Sequence, residues 1–287
     1  MTQFYIVDVF AERKYAGNQL AVFRDAADLS TELMQTIALE MGFSETTFIL
    51  SDDERDGGYD VRIFTINEEL PFAGHPTLGT AYIIRHEIQP TPADRVVLNL
   101  GVGPIPVTFR DDSVLWMQQK PPEFGPTHPA DLLLPMLSLT ADDLDTRFPI
   151  QTVSTGIPFI IVPIKSLEAM QRAALDPAGY RAVVEATGIQ EVLFFAPETV
   201  DPANAINARM FFYAGEDPAT GSANGCLAGY LVRQRFFGGA QIDLHVEQGL
   251  EIRRPSRLYL RAGAQAGGTI EVNVGGKVSL VARGEFV

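Results

Sequence analysis

Hydrophobic positions along the chain change period in a way that separates strands from helices. "FYIVDVF" (4–10) and "LAVF" (20–23) read as strands, joined by a loop that carries Gly17 and Asn18. In "STELMQTIALEMG" (30–42), Leu33, Met34, Ile37, Ala38 and Met41 recur at helical spacing, Ser30 suits the N-cap and Gly42 the position just past the C-terminus. "ETTFIL", "VRIFTI", "RVVLNL" and "SVLWMQ" are rich in β-branched and aromatic residues and predict further strands. The proline-dense "KPPEFGPTHPADLLLP" (120–135) predicts a connection, which sets the domains at 1–125 and 126–287. Beyond it, "LYLRA", "TIEVNV" and "KVSLVA" predict short strands.

The pattern then repeats. Laid without a gap over "EDPATGSANGCLAGYLV" (216–232), "ELPFAGHPTLGTAYIIR" (69–85) matches Glu69 with Glu216, Pro71 with Pro218, Gly74 with Gly221 and Ala81 with Ala228. Upstream in the same register, Arg62 meets Arg209 and Phe64 meets Phe211. "MGFSETTFIL" (41–50) lies over "TGIQEVLFFA" (187–196), with Gly42 on Gly188, Glu45 on Glu191 and Phe48 on Phe194. Two ordered matches at nearly one offset predict a duplicated chain with two similar lobes. In each half the apolar helix ("TLGTAYIIR", "NGCLAGYLVR") is hydrophobic around most of its circumference, as a helix enclosed by a sheet or barrel would be.

Both apolar helices open on glycine. Pro76 fits the first helical position, His75 then falls near the N-cap, and Ser222, itself a preferred N-cap residue, takes the matching place. The first turn of a helix carries free N–H groups and a partial positive charge, and Gly74 and Gly221 let a ligand approach the backbone. If the lobes face each other, the two starts converge on one carboxylate site. Taken singly, each feature also has a plain structural use: Ser222 as a cap, Asp217 as a complement to the helix dipole, Glu45 as a solvated strand end.

Bulk properties narrow the classes. The 287 residues fit about two domains. The net charge of −14 argues against a nucleic-acid partner, and no stretch reaches the length of a membrane span. Cys226 is the single cysteine, so an intrachain disulfide and a two-thiol racemase mechanism are both impossible. With no signal-peptide pattern at the start, the expected location is cytoplasmic. The four histidines form no ligand pair, and no dinucleotide or Walker loop is present, so neither metal nor cofactor is expected. "TGSAN" (220–224) lacks the leading glycine of a nucleophile elbow.

"GNQLAVF", "FSETTFIL", "ELPFAGHPTLGTA" and "GEDPATGSANG", in this order and over essentially the whole chain, resemble the phenazine-biosynthesis PhzF-like proteins, relatives of diaminopimelate epimerase. The resemblance implies an α+β fold of two pseudo-symmetric lobes, each a barrel-like sheet around a central helix, with the active site between them. It implies a cofactor-independent isomerase, often a homodimer, of the kind that isomerises trans-2,3-dihydro-3-hydroxyanthranilate by moving a proton between carbons. Glu45 would then be the acid/base, His75, Asp217 and Ser222 would orient substrate and assist, and N–H groups around Gly74 and Gly221 would hold a carboxylate. The substrate class implied is a cyclic or unsaturated amino or hydroxy acid. Two other readings stand beside it: a hydrolase using Ser222, His75 and Asp217, and a non-catalytic small-molecule binding protein.

Overall fold

A computed structural model describes residues 2–110, 113–213 and 215–287. In chain order the elements are β1 (Thr2–Val9), β2 (Asn18–Phe23), α1 (Thr31–Met41), β3 (Glu45–Ile49), β4 (Tyr59–Thr65), β5 (Glu69–Leu70), α2 (Gly74–Ile83), β6 (Arg95–Leu100), β7 (Gly103–Phe109) and β8 (Leu115–Gln118). There follow β9 (Glu123–Thr127), α3 (Ala130–Leu133), β10 (Gln151–Ser154), β11 (Pro158–Pro163), α4 (Leu167–Arg172), α5 (Pro177–Thr187), β12 (Val192–Ala196), β13 (Ile206–Phe212), β14 (Gly215–Asp217) and α6 (Gly221–Arg233). The last four are β15 (Gln241–Gln248), β16 (Ser256–Ala264), β17 (Ile270–Gly276) and β18 (Val278–Phe286). Among the described residues no helix is long and apolar enough to cross a membrane.

The chain divides into two compact units, Met1–Gln118 with Gly275–Val287, and Gln119–Val274. The sequence places the division at 125/126 and leaves the C-terminus with the second half. The last strand instead returns to the first unit, where β18 pairs antiparallel with β1.

Within the first unit the strands pair in the order β18-β1-β2-β3-β4-β6-β7-β8, with β2–β3 and β4–β6 parallel and the rest antiparallel. Within the second, β9-β10-β11-β12-β13-β15-β16 runs in the same way, with β11–β12 and β13–β15 parallel. The correspondence reaches individual registers: Thr46 faces Phe64 and Val192 faces Phe211, while Phe64 faces Glu69 and Phe211 faces Glu216. The proline-dense stretch that reads as a connection is therefore structural. It holds β9, whose partner is β10 and whose pairing shifts register between Gln151 and Val153. Pro126 cannot donate to a ladder, so it is accommodated where the pairing is irregular.

α2 is buried at nine of its ten residues and packs against β1, β2, β3, β6, β7, β8 and β18. The close approach explains Gly79, where a Cβ would stand 2.6 Å from the Leu20 side chain and 2.9 Å from that of Val9. α6 is buried at eleven of thirteen residues and packs against β10, β11, β15 and β16. Alternation along β3 sends Thr47 toward α2, where its hydroxyl meets Thr80 at 2.8 Å, and Phe48 toward the opposite face. There Phe23, Phe48 and Phe64 pack with Met34 and Ile37 of α1. Each fully buried side chain of this size contributes roughly 1.5–3 kcal/mol. Ser30 caps α1 by accepting from the Leu33 N–H, and Gly42 ends it at φ 66°, as expected; Leu33, however, is exposed.

In the second unit α5 takes the place of α1. Asp176 caps it by accepting from the Gly179 N–H, Pro177 opens it, and Gly188 closes it at φ 72°. Val183 of α5 packs with Phe194 and Phe211, the counterparts of Phe48 and Phe64.

The matched arginines make matched ion pairs. Arg62 binds Glu69 through two bonds of 2.7 and 2.6 Å, and Arg209 binds Glu216 through two of 2.9 and 2.7 Å. Their surroundings differ. The Arg62 and Glu69 side chains are 26% and 40% exposed, whereas Arg209 and Glu216 are 6% and 7% exposed. Arg209 also donates to the Met170 and Ala173 carbonyls. Removing one partner of a buried pair leaves the other poorly compensated, here with only Glu251 at 3.7 Å from Arg209, while an exposed pair is screened. Glu216→Ala should therefore lower stability by about 3 kcal/mol and Glu69→Ala by about 1 kcal/mol or less. Urea unfolding of the two variants checks this, and equal losses would contradict it.

Candidate functional site

The β4–β5 hairpin, clamped by Arg62 and Glu69, delivers the chain to the start of α2. Ala73 is the N-cap, in extended conformation at φ −152° and ψ 147°, and Gly74 is the first helical residue. The helix therefore begins two residues before the position expected from Pro76, with His75 second and Pro76 third. The ring costs no hydrogen bond there, because the first helical bond is Thr77 N–H to the Ala73 carbonyl at 3.3 Å. The N–H groups of Gly74 and His75 lie ahead of the helical ladder.

Glu45 is the first residue of β3, in register with Leu20 on one side and Thr65 on the other. That pairing brings it to the start of α2, where its Oε2 lies 3.4 Å from His75 Nε2. The His75 side chain is 6% exposed and that of Glu45 17%. Burial drives the imidazole down to about 3, against a hydrogen bond from the ring to the Gln19 main-chain carbonyl that favours the proton. His75 is thus neutral near pH 7, and its contact with Glu45 is not an ion pair. Since Nε2 has no hydrogen-bond partner, the nitrogen that donates to Gln19 is Nδ1. Nε2 then presents a lone pair to the carboxyl. With a proton on Oε2 the two groups can share a hydrogen bond. Without it, both direct lone pairs into the same space and can take up a proton there.

The other candidates belong to the second unit. Asp217 ends β14 and is buried. α6 begins at Gly221, its N-cap is Thr220, and Ser222 is its second residue, partly buried. Ser222 is therefore not the cap that the sequence suggests; the helix again starts earlier. Its place matches that of His75, as Gly221 matches Gly74. Thr220 makes no side-chain capping bond and donates its hydroxyl to Asp217 Oδ2 instead.

Around this turn lie residues that the sequence did not single out. Gln248, at the end of β15, donates to the Asp217 carbonyl at 3.0 Å and to Thr220 Oγ1 at 3.1 Å. Its Oε1 accepts from Thr220 N–H at 3.3 Å and from Asn224 Nδ2 at 2.9 Å. Gln119 donates to the Gly221 carbonyl at 3.0 Å and accepts from the Thr155 hydroxyl at 2.7 Å. Thr220 and Asn224 sit inside the glycine-rich motif and could have been suspected. Gln248 and Gln119 carry no local signal.

Cys226 is fully buried and its thiol is pushed up to about 12, so the thiolate is absent near neutral pH. Glu191, the counterpart of Glu45, is partly buried, and desolvation raises its carboxyl.

The family described as "Phenazine biosynthesis-like protein" (PhzC-PhzF) matches residues 7–284. The chain is 37% identical over 292 residues to the trans-2,3-dihydro-3-hydroxyanthranilate isomerase of Pseudomonas aeruginosa, covering 99% of both chains. Among solved structures, a PhzF-family phenazine biosynthesis protein from Bacillus anthracis superposes with a TM-score of 0.89 at 26% identity, over 100% of this chain and 99% of that one. A probable proline racemase from Agrobacterium radiobacter shares the fold at a TM-score of 0.64 and 12% identity, over 100% and 93% of the two chains.

The neutral His75 has a consequence for stability. Its folded pKa lies near 3 and an unfolded histidine titrates near 6.5, so between these values the unfolded chain binds the extra proton. The stability it contributes is complete above about pH 6.5 and drains away as the pH falls toward 3. Between pH 7 and pH 5 the wild type should lose about 2 kcal/mol more than His75→Gln. Urea unfolding at the two pH values measures this, and parallel losses would show that His75 titrates normally.

Proposed function

Because the chain belongs to the phenazine biosynthesis-like PhzC-PhzF family and is an isomerase, we propose that it moves a proton between two carbons of a small carboxylate, with Glu45 removing and returning that proton. The observation that carries this reading is the Glu45–His75 pair. A carboxylate that takes a proton from carbon becomes a carboxylic acid, and the bare Nε2 of His75 stands 3.4 Å away to accept its hydrogen bond. The protonated intermediate form of Glu45 is thereby stabilised while the carbanion, delocalised into the unsaturated system, waits for reprotonation at the other carbon. The same proton returns, so no net acid or base is consumed.

On this reading the two units are the two lobes, each with its strands wrapped around α2 or α6. The first-turn N–H groups at Gly74 and Gly221 are the groups proposed to hold the substrate carboxylate, and Asp217 and Ser222 those proposed to orient its polar substituents. A cyclic or unsaturated amino or hydroxy acid suits a site with one carbon acid/base and several hydrogen-bonding groups. Trans-2,3-dihydro-3-hydroxyanthranilate, on which the Pseudomonas relative acts by name, is one such compound. The hydrolase reading loses ground on a specific point: a triad needs Nδ1 of the histidine on a carboxylate, and here Gln19 takes it.

Glu45→Gln keeps the shape and removes the base, and should lower kcat on the order of 10³-fold while substrate still binds. In D2O, product made by the wild type from unlabelled substrate should carry less than one deuterium at the new C–H position, since a shielded carboxyl exchanges slowly with solvent. NMR of the product and turnover of the variant, with trans-2,3-dihydro-3-hydroxyanthranilate as first probe, test the two points. Unimpaired turnover in Glu45→Gln would eliminate the mechanism.

A further inference from the structure

From the hydrogen bonds at the start of α6 we infer that Thr220 is a positioning residue for Asp217, with its hydroxyl aimed by Gln248. The inference rests on the proposed place of Asp217 in the site. Its geometry can be assigned without choosing among alternatives. The Thr220 main-chain N–H can only donate and the Asp217 main-chain carbonyl can only accept, so the Gln248 amide has one orientation: Oε1 toward Thr220 N–H, Nε2 toward the Asp217 carbonyl. Gln248 Nε2 is then necessarily the donor to Thr220 Oγ1 at 3.1 Å. With that lone pair engaged, the single hydroxyl proton of Thr220 goes to Asp217 Oδ2. Gln248 has both amide hydrogens and both acceptor directions in use and is 1% exposed, so this arrangement has little freedom to turn.

The choice of partner separates positioning from capping. A threonine at an N-cap ordinarily gives its oxygen to an N–H of the second or third helical residue. Thr220 makes no such bond, although it occupies the cap. Its hydroxyl fixes a carboxylate instead. Asp217 Oδ2 is held as an acceptor, and the plane of the carboxyl group is set relative to the first turn of α6. An aspartate free to rotate would lose the angle at which it meets a substrate, and turnover would suffer more than binding.

The test compares Thr220→Val, which keeps the shape without the hydroxyl, with Thr220→Ser, which keeps the hydroxyl. With trans-2,3-dihydro-3-hydroxyanthranilate as probe, Thr220→Val should lower kcat 10-fold or more with KM changed less than about threefold, and Thr220→Ser should restore kcat to within about threefold. In the Asp217→Asn background, Thr220→Val should have little further effect on kcat. A readout without substrate is the infrared carboxylate band of Asp217, isolated as wild type minus Asp217→Asn. Thr220→Val should shift it and Thr220→Ser should not. Gln248→Glu, which cannot donate to Thr220 when ionised, should shift it as Thr220→Val does. An unshifted band in Thr220→Val, or full kcat there with Asp217→Asn inactive, overturns the inference. Full activity of Asp217→Asn would instead refute the place of Asp217 in the site, and the infrared band would still decide whether Thr220 holds it.

Discussion

A helix enclosed by strands can offer polar chemistry only at its ends, and that constraint organises both units. α2 is buried at nine of ten residues and has β-strands around it, so its sides are committed to Leu78, Ala81 and Ile83 against the sheet. Its N-terminus is different. The first N–H groups have no partner within the helix, and leaving them in an apolar interior would cost free energy comparable to lost hydrogen bonds. The chain therefore surrounds the helix start with polar groups: Glu45 at the end of a strand, the Gln19 carbonyl from the neighbouring strand, and His75 from the helix itself. At the start of α6, Thr220, Asn224 and Gln248 form a comparable polar cluster joined by hydrogen bonds. Polar groups concentrated at these ends are a consequence of burying the rest.

The two units repeat one pattern of strand pairing, and they differ in chemistry where the helices begin. Structural features are kept: the Arg–Glu clamp across the hairpin, the edge-on phenylalanine pair beneath it, and the left-handed glycine that ends the covering helix. At the helix starts the residues part company. His75 corresponds to Ser222, and Leu70 corresponds to Asp217. Glu45 has an acidic counterpart in Glu191, which burial holds toward its neutral form. Gly79, pressed by β1 and β2, corresponds to Cys226, where the second unit has room for a thiol. One unit has an imidazole beside a carboxyl and the other a carboxyl beside a hydroxyl, so neither carries the full set of candidate groups.

Much of this was legible in the sequence because it is local. Ser30 and Gly42 bracket α1 by their own chemistry, and the ungapped overlay of 62–85 on 209–232 pairs the positions that occupy equivalent places in the two units. Less visible features depend on partners distant along the chain. α5 is marked at its ends by Asp176, Pro177 and Gly188, but only Val183 of it is fully buried, so its apolar stripe is narrow and weak as a sequence signal. The proline-rich stretch reads as a linker because proline argues against strands; an irregular pairing with β10 admits it. Pro76 and Ser222 misled the helix starts by local preference, since tertiary packing begins each helix at the preceding glycine or earlier. Gln248 has no sequence signal at all, for its importance comes entirely from four hydrogen bonds to residues 24 to 31 positions away.

The two helix starts also show how neutral amide and carbonyl neighbours decide where protons sit. His75 is kept neutral by desolvation, and a single main-chain carbonyl from Gln19 decides which nitrogen carries the hydrogen. Thr220 has its hydroxyl direction decided by one amide from Gln248. In both cases a group at the helix start is oriented by a neighbour that is itself held by a strand: Gln19 by β2, Gln248 by β15. Strand pairing fixes these supports more firmly than a loop would, because shifting the register by one residue would turn the core face of the strand outward. The proton positions at both helix starts therefore inherit the rigidity of the sheets, and that connects the packing of the fold to the chemistry proposed for it.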